Sequence, residues 1–381
     1  MKKKIVICIA LTLLLICVFA TPSVAVAEEK SDVLTTPEID LAPFDEFIKN
    51  SDMFDGMTFR EKVEELSSGK GFDGEKFFSK VLNVVFNEVT SLFPLFAILL
   101  ALVLGFSVLS MMKNSYLSKE LQTILNVCLM LSIIIVMLSS VTKLIVTSKG
   151  VVENLKTQMF TAFPVLLTLL FASGGKTSVV SLQPILYFLS VIITDIIVKF
   201  IFPLIIISIV INLLSSISPD MKFKKLLDFI KSLSVYIIGV TLTVFTATLT
   251  ISGLFSGTYD SVMYRTAKYA VGHSVPIIGG YIKDGLDIVI MSSVMLKNSV
   301  GIASLVVFIG IALKPIISAF AFSLMLKLVA GISEGFSDGA VGNFLSATAS
   351  QVSMLGVTIV AVTFMYMVSI IALITAANFG G

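Results

Sequence analysis

The chain has 381 residues, of which 56% are hydrophobic and 14% charged, with a mean hydropathy of +1.01. Soluble domains carry about 25% charged residues and disordered chains lack large apolar side chains, so both classes are excluded. The composition predicts a membrane protein whose first partner is the lipid bilayer, and the net charge of +2 gives no reason to expect nucleic acid as a partner.

The first 27 residues have the pattern of a cleaved secretory signal peptide. Three N-terminal lysines precede an apolar run at 5–20, and Ala25 and Ala27 stand at the −3 and −1 positions. An uncleaved signal anchor is the alternative. In both cases residues 28–90 are expected on the outer side of the membrane.

Residues 28–90 form an acidic extracytoplasmic segment, with 14 acidic and 7 basic side chains between 28 and 80. Apolar residues at Phe59, Val63 and Leu66 predict a short amphipathic helix, and a second helix is predicted over 77–89. Two interpretations stay open. The helices contact partner proteins outside the membrane, or they form a solvated segment that leads into the first span.

Residues 91–381 are predicted to form a polytopic, all-α membrane domain. A bilayer needs about 20 apolar residues for each helical crossing. The apolar runs are 91–112, 121–141, 159–173, 179–198, 200–217, 234–255, 300–313, 315–332 and 352–377. Because several of these runs are short and contain proline, we expect seven to nine transmembrane helices.

An internal repeat is predicted between residues 151–256 and 263–373. Pro164 and Pro276 are 112 residues apart, as are Pro203 and Pro315. Chance similarity between apolar sequences is the alternative. A duplicated membrane domain with proline-interrupted segments is common in secondary transporters, so the repeat supports a transport hypothesis.

Two groups of charged residues lie at or between the predicted spans. Asp195 and Lys199 are four residues apart, so they share a helix face and form a candidate intramembrane pair; the alternative places both at the membrane interface. A second group forms a candidate cytoplasmic basic helix, which would contact a cytoplasmic partner or anionic lipid. Its members are Lys222, Lys224, Lys225 and Lys231.

Residues 260–301 read as an amphipathic helix, a Pro–Gly turn, a second amphipathic helix and a return to the membrane. The charges in this stretch argue against one ordinary crossing, and we treat it as a candidate interaction motif. Its named residues are Arg265, Lys268, Pro276, Gly279, Gly280 and Lys297.

This stretch, with the signal peptide and the last span, resembles the stage III sporulation protein AE family over essentially the whole chain. The resemblance implies an endospore-forming bacterium and a protein made in the mother cell, in the membrane around the forespore. It implies partners as well, namely other stage III membrane proteins, a secretion-type ATPase and ring-forming proteins that together build a channel. The resemblance implies no catalytic residue for this chain.

Few side chains are suited to catalysis or metal binding. Cys8, Cys17 and Cys128 lie in apolar runs, and His273 is the only histidine. No CxxC, HExxH or GxSxG motif is present, so we expect no cofactor, no metal site and no enzyme.

Two functional hypotheses therefore remain. The first is a non-enzymatic membrane subunit of a sporulation channel or secretion-like complex that forespore development requires. The second is a self-contained secondary transporter or permease built on the internal repeat.

Overall fold

The computed structural model describes residues 41–48, 56–68, 74–111, 119–217, 223–274, 279–334 and 340–376. These residues form helices and turns and contain no strand, which confirms the predicted all-α class. The predicted signal peptide and the first part of the acidic segment lie outside the described residues.

Ten α-helices and one π-helical turn occur in the described ranges. The helices are α1 (Ala42–Ile48), α2 (Phe59–Ser67), α3 (Gly74–Ser91), α4 (Phe93–Met111), α5 (Lys119–Ala172), α6 (Lys176–Ile196), α7 (Phe202–Ile217), α8 (Lys224–Ser274), α9 (Gly279–Glu334) and α10 (Ala340–Thr375). The π-helical turn, Ile197–Ile201, joins α6 to α7 without a break in the helix.

Six helical segments of the described chain are long and apolar enough to cross a membrane. They are Gly74–Phe106, Val127–Ala172, Lys176–Ser216, Lys224–Ser252, Ile290–Glu334 and Ala340–Thr375. The prediction of seven to nine spans is not confirmed, because three pairs of predicted runs each lie on one continuous helix. The pairs are 121–141 with 159–173 in α5, 179–198 with 200–217 in α6 and α7, and 300–313 with 315–332 in α9.

The runs fuse because proline and lysine do not end a helix in an apolar setting. A proline removes one helical hydrogen bond, whereas a break exposed to lipid would leave several backbone groups without partners. Pro164 lies inside α5, Pro184 inside α6 and Pro315 inside α9. The charges at Lys199 and Lys314 are therefore accommodated within helices and not in loops.

Helices α1 and α2, from the acidic segment, pack onto the membrane domain of the same chain. The rings of Phe44 and Phe59 stack with centroids 4.1 Å apart, and both side chains are fully buried. A capping box between Thr58 and Glu61 starts α2, which begins at Phe59. This is the short amphipathic helix that the sequence predicts there. Both helices contact α9. Neither sequence interpretation of this segment included packing against its own chain.

Helices α9 and α10 form the centre of the domain. In each of these helices, 56% of the residues in the most apolar 18-residue stretch are buried. The corresponding share is 11% for the segment Gly74–Phe106, which lies at the periphery. A Cβ atom at Gly356 of α10 would lie 3.1 Å from the Phe320 ring of α9, so glycine allows the close approach of the two helices.

The two predicted repeats contain the same order of elements. The first contains the end of α5, then α6 and α7 joined by the π-helical turn, and then the first part of α8. The second contains the end of α8, then α9, and then α10. The Gly-Val-Thr sequences that begin at Gly239 and Gly356, 117 residues apart, also correspond in the predicted repeat. Their surroundings differ, because Gly239 faces open space whereas Gly356 faces the Phe320 ring. The repeat stays a prediction.

Buried hydrogen bonds fix the first part of α10 against α7. The Gln351 amide donates to the Ser208 hydroxyl at 3.0 Å. The Asn212 amide donates to the Thr348 hydroxyl at 2.8 Å. All four side chains are buried, so an unpaired group here would be costly.

A third buried contact lies one helix earlier, between α6 and α10. The hydroxyls of Tyr366 and Thr194 are 2.6 Å apart, and the Tyr366 hydroxyl also donates to the Ser190 carbonyl at 3.1 Å. The three contacts span the π-helical turn, so they fix both halves of the α6–α7 helix to α10.

We expect Tyr366→Phe to lower the stability of the detergent-solubilised protein by about 1 kcal/mol, because Thr194 loses its partner. Thr194→Val should cost a similar amount, and the double variant should cost less than the sum of the two. Thermal unfolding of the four proteins measures this coupling. Strictly additive losses would contradict a direct interaction.

Candidate functional site

The predicted Asp195–Lys199 pair forms across the π-helical turn. The Lys199 ammonium donates to the Asp195 carboxylate at 2.7 Å. The Lys199 side chain is 65% exposed and the Asp195 side chain is 42% exposed. Neither residue lines a described cavity. The pair is therefore on an outer surface of the helix, about 30 Å from each end of Lys176–Ser216.

We expect Lys199→Met to reduce the amount of protein in the membrane, because Asp195 becomes an unpaired charge on an apolar helix. Such a charge costs about 3 kcal/mol near a bilayer centre. Adding Asp195→Asn should restore accumulation. Quantitative immunoblotting of membrane fractions measures both effects.

A matched control for this experiment is Lys62→Met in α2. Lys62 and Glu65 form a contact of the same length, 2.7 Å, but α2 lies outside the six long apolar segments, so accumulation should stay normal. Normal accumulation of Lys199→Met would contradict an energetically important pair.

The candidate interaction motif is described only in part. Arg265 and Lys268 lie in α8, but their side chains are outside the described residues, as is Pro276. Gly279 and Gly280 begin α9. Lys297 is fully buried in α9, and its ammonium donates to the Ala376 carbonyl at the end of α10. A cation is favourable there because the last carbonyls of a helix have no helical partners.

The candidate basic helix is the first turns of α8. Lys224 and Lys225 are exposed and Lys231 is half-buried, while Lys222 lies outside the described residues. Two lysines at a helix N-terminus oppose the helix dipole, so they do not serve the stability of α8. Their contact with a cytoplasmic partner or anionic lipid stays a prediction.

A polar cleft that the sequence did not predict lies between the α3–α4 junction, the middle of α5 and the middle of α9. Its volume is about 1040 Å³. The Glu88 carboxylate of α3 is 3.3 Å from the Lys314 ammonium of α9 and accepts a hydrogen bond from the Ser318 hydroxyl. Glu88 is only 14% exposed whereas Lys314 is 72% exposed, so the carboxylate of this cross-helix pair is shielded from solvent and the ammonium side chain is not.

One face of α5 supplies the opposite wall of the cleft. Lys143, Thr147, Val151 and Asn154 follow one another at spacings of four, four and three residues, which places them on one helix stripe. In the sequence this stretch falls between the apolar runs 121–141 and 159–173. The helical spacing of its polar residues is the signal that could reveal the stripe.

The residues of the described chain do not form a metal site. They contain no group of three or more His, Cys, Asp or Glu side chains close enough to hold a metal ion. The cleft contains one carboxylate among its lining residues, and lysine is not a metal ligand in its charged form.

A sequence profile of the family described as Stage III sporulation protein AE matches residues 57–377. The chain belongs to this family. It is also similar to the Stage III sporulation protein AE of Bacillus subtilis (strain 168), with 25% identity over 316 residues, which cover 83% of this chain and 79% of that protein. No solved structure matches the chain. The resemblance noted in the sequence is thus confirmed, and the chain is a membrane protein of a sporulation family.

The match includes every helix from α2 to α10, and with them the cleft and the Asp195–Lys199 pair. These features therefore lie in the family's own domain. α1 and the predicted signal peptide precede the matched range.

We expect Glu88→Lys to loosen α3 from α9, because it replaces the attraction to Lys314 by repulsion between two cations. Backbone amides in residues 74–91 should then exchange hydrogen about threefold faster. The charge-reversed double variant, Glu88→Lys with Lys314→Glu, should restore slow exchange. Equal exchange rates in wild type and Glu88→Lys would show that the pair does not hold α3.

Proposed function

We propose that this chain is a non-enzymatic membrane subunit of a channel or secretion-like complex between mother cell and forespore. The match to the sporulation family over residues 57–377 is the observation that supports this proposal best. Its membrane is that of mother-cell origin around the forespore. Its partners are other stage III membrane proteins, including a secretion-type ATPase and ring-forming proteins, and the complex serves forespore development.

The length of exposed apolar helix supports an assembly. Val180 in α6 is 74% exposed and Leu214 in α7 is 51% exposed, and they lie about 51 Å apart along a straight helix. The hydrocarbon core is about 30 Å thick, and observed helix tilts up to about 40° shorten 51 Å only to about 39 Å. Part of this exposed apolar surface would therefore contact water unless a protein partner covers it or the helix bends at the π-helical turn.

The six long helices give the proposed subunit an orientation. If each crosses once and the acidic segment lies outside, the start of α8 faces the cytoplasm. Lys224 and Lys225 are then the proposed contact with the ATPase or with anionic lipid. On the same assumption, Lys176 and the end of α10 lie on the outer side.

Gentle solubilisation of a tagged chain from sporulating cells, followed by mass spectrometry, tests the proposal. We expect the ATPase and ring-forming proteins to be recovered in stable ratio. Lys224→Gln with Lys225→Gln should reduce recovery of the ATPase but not of the ring-forming proteins, whereas Lys149→Gln should change neither. Recovery of the chain alone would contradict the assembly.

A secondary transporter is the second candidate, and the polar cleft is the observation that favours it. A cavity with charged walls between long apolar helices is a typical place for a solute. Recovery of the chain as a monomer or homodimer would favour this function.

A further inference from the structure

The cleft has a surplus of positive charge and hydrogen-bond donors. Lys143 and Lys314 line it, and Glu88 is the one carboxylate among its lining residues. Both oxygens of Glu88 are engaged, one by Lys314 and the other by Ser318. The Lys143 ammonium has no carboxylate within 4 Å among the described residues.

The lining is well arranged to hold an oxyanion. An ammonium group offers three donors and an amide NH₂ group offers two. Lys143 and Asn154 present such groups from one face of α5, Thr147 adds a hydroxyl with one donor, and the Lys314 ammonium keeps further donors beyond its contact with Glu88. A ligand with several acceptor oxygens and a negative charge complements these groups, whereas a cation would meet two lysines.

The remaining wall is apolar and belongs to α4 and α9. Leu95 and Phe322 line it, with Leu92 at the α3–α4 junction. The cavity of about 1040 Å³ is large enough for a small organic ligand and not only for an inorganic ion. The charged and apolar walls together fit a molecule with one anionic group and an attached organic part.

We propose that this cleft binds a phosphate ester, with Lys143 as the main contact to the phosphate and the Glu88–Lys314 pair as a fixed part of the wall. The ester comes from one of two sources, the headgroup of an anionic phospholipid or a water-soluble metabolite. The proposal does not depend on the channel function, since it rests only on the lining of the cleft.

The test is thermal unfolding of the full chain in a neutral detergent with two probes. Glycerol 3-phosphate represents the soluble source and phosphatidylglycerol the lipid source. Glycerol and diacylglycerol serve as their phosphate-free counterparts. A ligand that binds the folded protein raises the unfolding temperature in a concentration-dependent way.

Stabilisation by glycerol 3-phosphate supports a soluble ligand, and stabilisation by phosphatidylglycerol alone supports a lipid headgroup. In either case, Lys143→Gln should weaken the affinity about tenfold, because it removes a charge-assisted hydrogen bond. Lys143→Arg keeps the charge and Lys149→Gln lies outside the cleft, so both should stay within about twofold of wild type.

The proposal is wrong if neither phosphate probe stabilises the wild-type chain more than its phosphate-free counterpart. It is also wrong if Lys143→Gln and Lys149→Gln respond to the phosphate probe alike. Lys143 is exposed, so its substitution is not expected to disturb folding.

Discussion

A backbone exposed to hydrocarbon has no water to bond, so it must remain helical. This constraint accounts for the long helices of the chain. Where the sequence places proline or lysine within apolar stretches, as at Lys199 and Lys314, the helix continues through the site. The polar groups are then accommodated by local pairing, by burial with hydrogen bonds, or by a cleft.

The polar groups lie in three different environments of the domain, namely a buried helix interface, an outer surface and a cleft. Buried amides and hydroxyls, such as Asn212 and Tyr366, fix α6 and α7 to the central α10. The Asp195–Lys199 pair neutralises itself on an outer surface. The Glu88–Lys314 pair joins a peripheral helix to a central one and leaves Lys143 as a charge facing a cavity. Buried hydrogen bonds, a self-neutralising ion pair and a charged cleft thus occupy different helix faces.

Local features of this structure could be predicted from the sequence. The helical class, the start of α2 at Phe59 and the Asp195–Lys199 pair follow from periodicity and from contacts between residues four apart. The Glu88–Lys314 pair could not be predicted, because its members are 226 residues apart and only tertiary packing brings them together. The span count could not be predicted, because single lysines and prolines within apolar runs suggest helix ends where the structure has continuous helix.

The continuity of α6 through the π-helical turn into α7 is the central claim, and residue accessibility tests it directly. A cysteine at Lys176 and another at Lys225 are introduced separately into a chain without its three natural cysteines. The variants are produced in non-sporulating cells, and intact cells and inside-out membrane vesicles are each treated with a membrane-impermeant maleimide. One continuous crossing predicts that the two positions are labelled from opposite sides of the membrane. Two separate crossings at 179–198 and 200–217 would place them on the same side, and that result would contradict the account.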